Sequence, residues 1–159
     1  MSEVNRRGFF GALGALIQKK EGVVRPPYAK KETLFGTVCQ ECDTLCGSAC
    51  EEGIIKFDAQ HLPYLDFSLT GCSDCGACMD ACTPNVLEDK NSFIRATLKI
   101  NSQKCLSWHD TMCFACKEPC LDKAIVFSGL FHPIIIAQNC TACGYCVSLC
   151  PTGAIEVRG

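Results

Sequence analysis

Apolar residues along this chain occur in short runs, and polar or turn-forming residues separate the runs. Residues 54–57 and 64–67 lie on either side of a polar turn, and residues 124–127 and 133–136 repeat this arrangement. Short runs rich in Ile, Val, Phe and Tyr around a turn are typical of antiparallel strands. The pattern therefore predicts two small β-hairpins, one in each half of the body of the protein.

A third pair of runs is separated by a longer stretch of sequence. Residues 96–100 and 154–157 both favour a strand, and we expect them to pair with each other. Between the strands the sequence predicts only short helical turns. The predicted fold class is α+β, with short antiparallel strands and short helices.

The first 31 residues differ from the rest of the chain and predict a helical and extended leader. Residues 9–17 are mostly apolar and favour a short helix, although Gly11 and Gly14 each weaken it by about 1 kcal/mol. The stretch is too short to span a bilayer, which needs roughly 18 or more apolar residues. Pro26 and Pro27 force an extended segment, which we interpret as a stiff linker between leader and body.

Residues 5–10 resemble a twin-arginine export signal, because Arg6 and Arg7 precede Gly8 and two phenylalanines. The alternative is a short amphipathic helix. Lys19 and Lys20 end the apolar stretch, and no Ala-x-Ala cleavage site follows. We therefore expect a cytoplasmic protein without a transmembrane segment. Peripheral contact with a membrane is compatible with this expectation.

The charge is distributed unevenly. Residues 1–31 carry seven Lys/Arg against two Asp/Glu, whereas residues 32–159 carry eight against fifteen. An acidic body repels phosphates, which argues against nucleic acid as a partner. The basic leader is either a docking or targeting element or a solvated tail. Because no phosphate-binding loop, HExxH or G-x-S-x-G motif is present, we do not expect an enzyme.

The chemistry of the chain lies in its sixteen cysteines, which form four groups of four. The groups are Cys39, Cys42, Cys46, Cys50; Cys72, Cys75, Cys78, Cys82; Cys105, Cys113, Cys116, Cys120; and Cys140, Cys143, Cys146, Cys150. The second and fourth groups have the spacing C-x2-C-x2-C-x3-C, and Pro151 follows the fourth. This spacing is typical of bacterial ferredoxins, in which three thiolates bind one 4Fe-4S cluster and the fourth binds another.

Two other uses of cysteine are less compatible with this spacing. Structural zinc sites usually combine two C-x2-C pairs that a longer loop separates. Disulfides join residues whose Cα atoms lie about 4.4–6.8 Å apart, and these groups crowd four thiols into one turn. The pattern therefore favours up to four 4Fe-4S clusters with all sixteen cysteines as ligands. Because each half has little apolar core, we also expect folding to depend on the metal.

The hairpins place the first group with the second and the third with the fourth. We therefore predict two tandem 2[4Fe-4S] ferredoxin-like modules, at residues 32–95 and 96–159, after a basic leader and linker at 1–31. Exchange of the fourth cysteine within each module gives four ligand sets. They are Cys39, Cys42, Cys46 with Cys82; Cys72, Cys75, Cys78 with Cys50; Cys105, Cys113, Cys116 with Cys150; and Cys140, Cys143, Cys146 with Cys120.

The first and third groups depart from the usual spacing. Three residues separate Cys42 from Cys46, and seven separate Cys105 from Cys113. Longer loops hold a cluster less tightly, so we expect these two groups to bind the more labile clusters. His109 lies in the longer loop and is a candidate for tuning a cluster, since polar neighbours shift reduction potentials.

The cysteine groups, the seven-residue gap, Arg6-Arg7-Gly8 and the segment Arg25-Pro26-Pro27-Tyr28 together resemble the ferredoxin-type NapF proteins encoded with periplasmic nitrate reductases. The resemblance covers nearly the whole chain. It implies a cytoplasmic accessory protein that binds the catalytic subunit, NapA, before export and assists the assembly of that subunit's 4Fe-4S cluster. The alternative is a polyferredoxin that donates electrons to a reductase.

Overall fold

A computed structural model describes residues 22–159, so most of the predicted leader, including the apolar stretch, lies outside the described residues. The helices are α1 (Thr33–Val38), α2 (Leu45–Ser48), α3 (Ala77–Asp80) and α4 (Tyr145–Ser148), with 3-10 turns at Cys39–Glu41, Leu106–His109 and Ala137–Asn139. The strands are β1 (Ile55–Phe57), β2 (Pro63–Leu65), β3 (Thr97–Ile100), β4 (Ile125–Ser128), β5 (Phe131–Ile135) and β6 (Ile155–Arg158). This is the α+β fold of short elements that the sequence predicts.

All three predicted strand pairings are present and antiparallel. β1 pairs with β2, so that Ile55 faces Leu65, and β4 pairs with β5, so that Ile125 faces Ile135. β3 pairs with β6, which joins the start of the second half of the body to the C-terminus. The division of residues 32–95 and 96–159 into separate modules stays a prediction.

The proline-rich segment, interpreted above as a linker, is buried against the first half of the body. The backbone carbonyl of Val24 accepts a hydrogen bond from the Leu65 N–H at 2.9 Å, and Ala29 forms an isolated antiparallel bridge with Leu87. The segment thus occupies the place in the first half that β3 occupies in the second. Pro26 and Pro27 lack the N–H groups that a strand needs, which explains why only a bridge forms.

Arg25 anchors this segment to the core. Its Nη1 donates a hydrogen bond to the carbonyl oxygen of Pro63 at 2.6 Å, and its guanidinium lies 5.5 Å from the centre of the Phe35 ring. Phe35 is 1% exposed and is among the most buried large side chains of the described residues. The arginine therefore links the extended segment, β2 and α1.

We expect Arg25→Ala to destabilise the cluster-loaded protein by about 1–3 kcal/mol, because it leaves a carbonyl without its charged donor and uncovers Phe35. Anaerobic unfolding in urea measures the change. The matched control is Arg95→Ala, since Arg95 is an exposed arginine in the same half. Equal stabilities of the two variants would contradict the anchoring role.

The two halves of the body meet at loops that contain cysteines. The Cys72 N–H donates a hydrogen bond to the carbonyl oxygen of Cys143 at 2.6 Å, and the Tyr145 hydroxyl donates to Glu52 at 3.1 Å. A Cβ atom at Gly71 would lie 2.5 Å from the Tyr145 backbone nitrogen, so a glycine is needed for this close approach. Within residues 22–159, no helix has the length and apolar character needed to cross a membrane.

Candidate iron-sulfur sites

Four cavities in the described body are each lined by four cysteines. The sites, named here I to IV, contain Cys39, Cys42, Cys46, Cys82 (site I); Cys50, Cys72, Cys75, Cys78 (site II); Cys105, Cys113, Cys116, Cys150 (site III); and Cys120, Cys140, Cys143, Cys146 (site IV). Each site combines three cysteines of one group with the last cysteine of the group it is paired with. These sets coincide with the four ligand sets predicted from the sequence.

The third cysteine of each group is the buried one. Cys46, Cys78 and Cys146 lie within the single turns of α2, α3 and α4, and Cys116 lies in a hydrogen-bonded turn. The loop before each of the three helices places a residue in the left-handed conformation, as at Gly76 and Gly144, with φ of 80° and 87°. This reversal turns the helix so that its cysteine faces the cavity.

The fourth cysteine of each group begins a loop with one repeated geometry. The residue three positions later adopts a positive φ and donates its N–H to the carbonyl oxygen of the cysteine, at 2.9–3.1 Å. These residues are Gly53, Asn85, Lys123 and Gly153. The shared loop turns the chain away from one site and towards the other site of the pair, which places the fourth thiol in the neighbouring cavity.

Backbone N–H groups point at three of these fourth sulfurs. Leu87 donates to Cys82 Sγ at 3.4 Å, and the sulfurs of Cys120 and Cys150 accept from Ala124 and Ala154, each at 3.2 Å. Hydrogen bonds to thiolate sulfur stabilise the anion and raise the potential of a bound cluster. At Cys150, burial opposes ionisation, but the bonds from Ala154 and Thr152 hold the pKa below its ordinary value.

The remaining buried thiols are unfavourable as anions unless a cation lies among them. Burial first, and then the charge of the neighbouring Cys82 and Cys39 thiolates, raise the pKa of Cys46 to about 11. Burial and the charge of nearby cysteines likewise raise the pKa of Cys146 to about 12. A set of four such thiolates therefore needs positively charged metal inside the cavity.

The spacing of the donors suits a multi-iron cluster better than a single ion. Among the described residues, which include all sixteen cysteines, no three His, Cys, Asp or Glu side chains converge closely enough to hold one metal ion. A tetrahedral zinc site would bring all four sulfurs to about 2.3 Å from one centre. In a 4Fe-4S cube each thiolate binds a different iron, so the four sulfurs stand further apart around a larger cavity.

The sequence did not indicate the polar contacts that surround the sites. The Tyr28 hydroxyl donates to Asp74 Oδ1 at 2.5 Å beside site II; burial first, and then the hydrogen bond to Asp74, raise the pKa of Tyr28. In the seven-residue loop of site III, the fully buried Ser107 hydroxyl donates to the carbonyl oxygen of Cys113 at 2.8 Å. Tyrosine and serine in loops carry no spacing signal that would have revealed these roles.

The long loop of site III is fixed to the neighbouring hairpin. The Trp108 Nε1–H donates to the carbonyl oxygen of Pro133 at 3.3 Å, and the Trp108 ring contacts His132 edge-on. His109 Nε2 lies 3.1 Å from the carbonyl oxygen of Gln103, so the imidazole contacts the backbone just before its own loop.

The tuning role of His109 and the greater lability of the clusters at sites I and III stay predictions.

Comparison with known proteins gives the sites their chemical class. The family model for a 4Fe-4S binding domain matches residues 133–156, which include the last cysteine group. The chain is 31% identical to the ferredoxin-type protein NapF of Escherichia coli (strain K12), over 98% of this chain and 95% of that protein. NapF of Haemophilus influenzae is also 31% identical, over 96% and 90%, and the methylamine utilization ferredoxin-type protein MauM of Paracoccus denitrificans is 25% identical, over 92% and 77%.

The cavities, the cysteine spacing and these similarities define an iron-sulfur protein of the ferredoxin type that binds 4Fe-4S clusters. The two NapF proteins are each 31% identical to this chain over nearly its whole length, which also identifies the particular family. The chain belongs to the ferredoxin-type NapF proteins.

Proposed function

We propose that the protein holds one 4Fe-4S cluster in each of sites I to IV, with all sixteen cysteines as ligands. The observation that carries this proposal is the convergence of four thiols, from two cysteine groups, on each cavity. When bound, a cluster supplies one-electron redox chemistry or a transferable iron-sulfur unit. The residues of this chain hold the sulfurs in place, cover them from water and donate backbone N–H groups to them.

We propose further that the protein is a cytoplasmic accessory factor, without an enzymatic activity of its own. Its partner would be the catalytic subunit of a periplasmic nitrate reductase, NapA, whose 4Fe-4S cluster it would help to assemble before export. Membership of the NapF family supports this role. The structure adds one supporting feature, since Cys75 of site II is the only one of the sixteen cysteines that is exposed. A cluster with an exposed ligand is accessible to a partner.

Deletion of the gene should leave the catalytic subunit short of about four irons, the content of one 4Fe-4S cluster. The subunit is purified anaerobically from the deletion strain and from the parent, and its iron and acid-labile sulfide are measured. The matched control restores the gene, which should return the iron content of the subunit to that of the parent strain. A fully loaded subunit in the deletion strain would contradict the maturation role.

Anaerobic capture experiments test the partner itself. The cluster-loaded protein should retain the precursor of the catalytic subunit, which still carries its signal peptide, in preference to the mature form. Equal retention of both forms, or retention of neither, would contradict a role before export.

One observation favours a second candidate function, electron donation to a reductase. The Cys72 N–H of site II bonds directly to the Cys143 carbonyl of site IV, so the two halves of the body meet at cysteine-containing loops. The four sites then form a continuous series, I–II–IV–III, which suits a polyferredoxin. If the deletion strain makes a fully iron-loaded catalytic subunit but electron delivery to it falls, this second function is the correct one.

A further inference from the structure

A groove of about 460 Å³ lies between the two halves of the body, next to sites II and IV. Its lining is mainly apolar and includes Phe93, Ile94 and Leu121. Phe93 is 60% exposed and Leu121 is 86% exposed, which is unusual for large apolar side chains that line one groove. Exposed apolar surface of this kind is typical of a binding site, because burying it is favourable.

The charge of the groove has one sign. The charged residues that line it are Asp74 and Asp122, and the groove also reaches the cysteines Cys72 and Cys143 of two metal sites. The Asp122 carboxylate accepts a hydrogen bond from the Thr141 hydroxyl at 2.6 Å, which fixes it at the groove wall. An occupant that combines apolar side chains with positive charge would complement this surface.

The N-terminal segment of the same chain has this composition. Residues 1–21 lie outside the described residues and carry four Lys/Arg against two Asp/Glu. Their apolar residues recur at the spacing of one face of a helix: Phe9, Phe10, Leu13, Leu16 and Ile17. Basic pairs stand on both sides of this apolar stretch, at residues 6–7 and 19–20.

The end of this segment is held close to the groove. The carbonyl oxygen of Gly22 accepts a hydrogen bond from the Gly159 N–H at 3.1 Å, and Pro27, five residues later, already lines the groove. Five residues span at most about 18 Å, and the 21 residues before Gly22 reach roughly 70 Å when extended. The segment is therefore long enough to enter the groove of its own chain.

We propose that residues 1–21 bind in this groove of the same molecule, with the apolar face of residues 9–17 against Phe93, Ile94 and Leu121 and the basic pairs near Asp74 and Asp122. The segment then covers the surface between sites II and IV. Tethering favours this arrangement over binding to another molecule, because the local concentration of a linked segment is in the millimolar range. This inference does not depend on the proposed partner.

Photochemical cross-linking in the full-length, cluster-loaded protein tests the proposal. Phe10→benzoylphenylalanine places a photoreactive group on the apolar face with little change in shape. Illumination under anaerobic conditions should yield cross-links within one chain to residues 93–94 or 119–122, identified by mass spectrometry. Unlabelled and ¹⁵N-labelled chains are mixed before illumination, so that cross-links between molecules are recognised by their mixed mass. Cluster absorbance is recorded to confirm that the sites stay loaded.

A matched pair of variants makes the test specific. Phe93→Ser with Leu121→Ser should at least halve the yield of cross-links in the groove, because it removes apolar surface that the segment buries. Leu69→Ser is the control, since Leu69 is 88% exposed and does not line the groove. Cross-links between molecules, cross-links elsewhere on the chain, no protein cross-links, or equal yields in the two variants would each overturn the proposal.

Discussion

Cys82→Ala is expected to remove iron from the site that contains Cys39, Cys42 and Cys46, and to leave the site with its sequence neighbours Cys75 and Cys78 loaded. The cause is the exchanged ligand, because Cys82 follows the second cysteine group in sequence but lines site I in the structure. A protein with four full clusters contains about sixteen irons, so the variant should retain about twelve.

Double variants distinguish the exchanged arrangement from one in which each group binds its own cluster. In the exchanged arrangement, Cys39→Ala with Cys82→Ala damages one site and should retain about twelve irons, whereas Cys72→Ala with Cys82→Ala damages two sites and should retain about eight. Anaerobic iron and sulfide analysis measures both. If each group held its own cluster, Cys72→Ala with Cys82→Ala would retain about twelve irons and Cys39→Ala with Cys82→Ala about eight. That reversed result would contradict the ligand sets.

Anaerobic removal of the iron is expected to abolish the cooperative unfolding of the body. The centre of each half is occupied by cysteine sulfurs, and Cys46, Cys78, Cys116 and Cys146 are themselves counted among the buried core. Without metal, each cavity contains only its four thiols and no cluster that links them. The strands are only three to five residues long. Burial of so little apolar surface does not balance the conformational entropy of the chain, so folding and metal binding are coupled.

Thermal unfolding followed by circular dichroism measures this effect. The loaded protein should show one sharp transition, and the chelated protein a gradual change without a plateau. Rebuilding the clusters with iron and sulfide is the control, because it should restore the transition if the treatment itself has not damaged the chain. A sharp transition in the metal-free protein would show that the apolar core is sufficient on its own.

The sequence by itself determined the class of the fold and the chemistry of the sites. The spacing of the fourth cysteine group and the alternation of apolar runs with turns are local patterns, and local patterns predict short strands, tight turns and cluster-binding loops. The pairing of residues 96–100 with 154–157 was also predicted, since both runs favour a strand, and β3 pairs with β6 in the structure.

Only the tertiary structure decided the contacts between distant parts of the chain. The positions of Arg25 and Tyr28 depend on contacts with Pro63, Phe35 and Asp74, which lie up to 46 residues away in sequence. Two prolines in a row predict an extended backbone, but they carry no information about the surface that an extended segment covers. For this reason the sequence predicts a linker for the proline-rich segment, although in the structure the segment is buried and takes the place of β3 in the first half of the body.

The groove between the halves is a product of tertiary structure for the same reason. Phe93 and Leu121 lie in loops and belong to different halves of the body, and neither has a periodic pattern around it. They come together because Gly71 permits the backbone of one half to approach Tyr145 of the other. The spacing of cysteines along the chain predicted which thiols line one cavity, because that arrangement depends on local loops. The surfaces that face each other depend on packing between distant residues, so they were not predictable from the sequence.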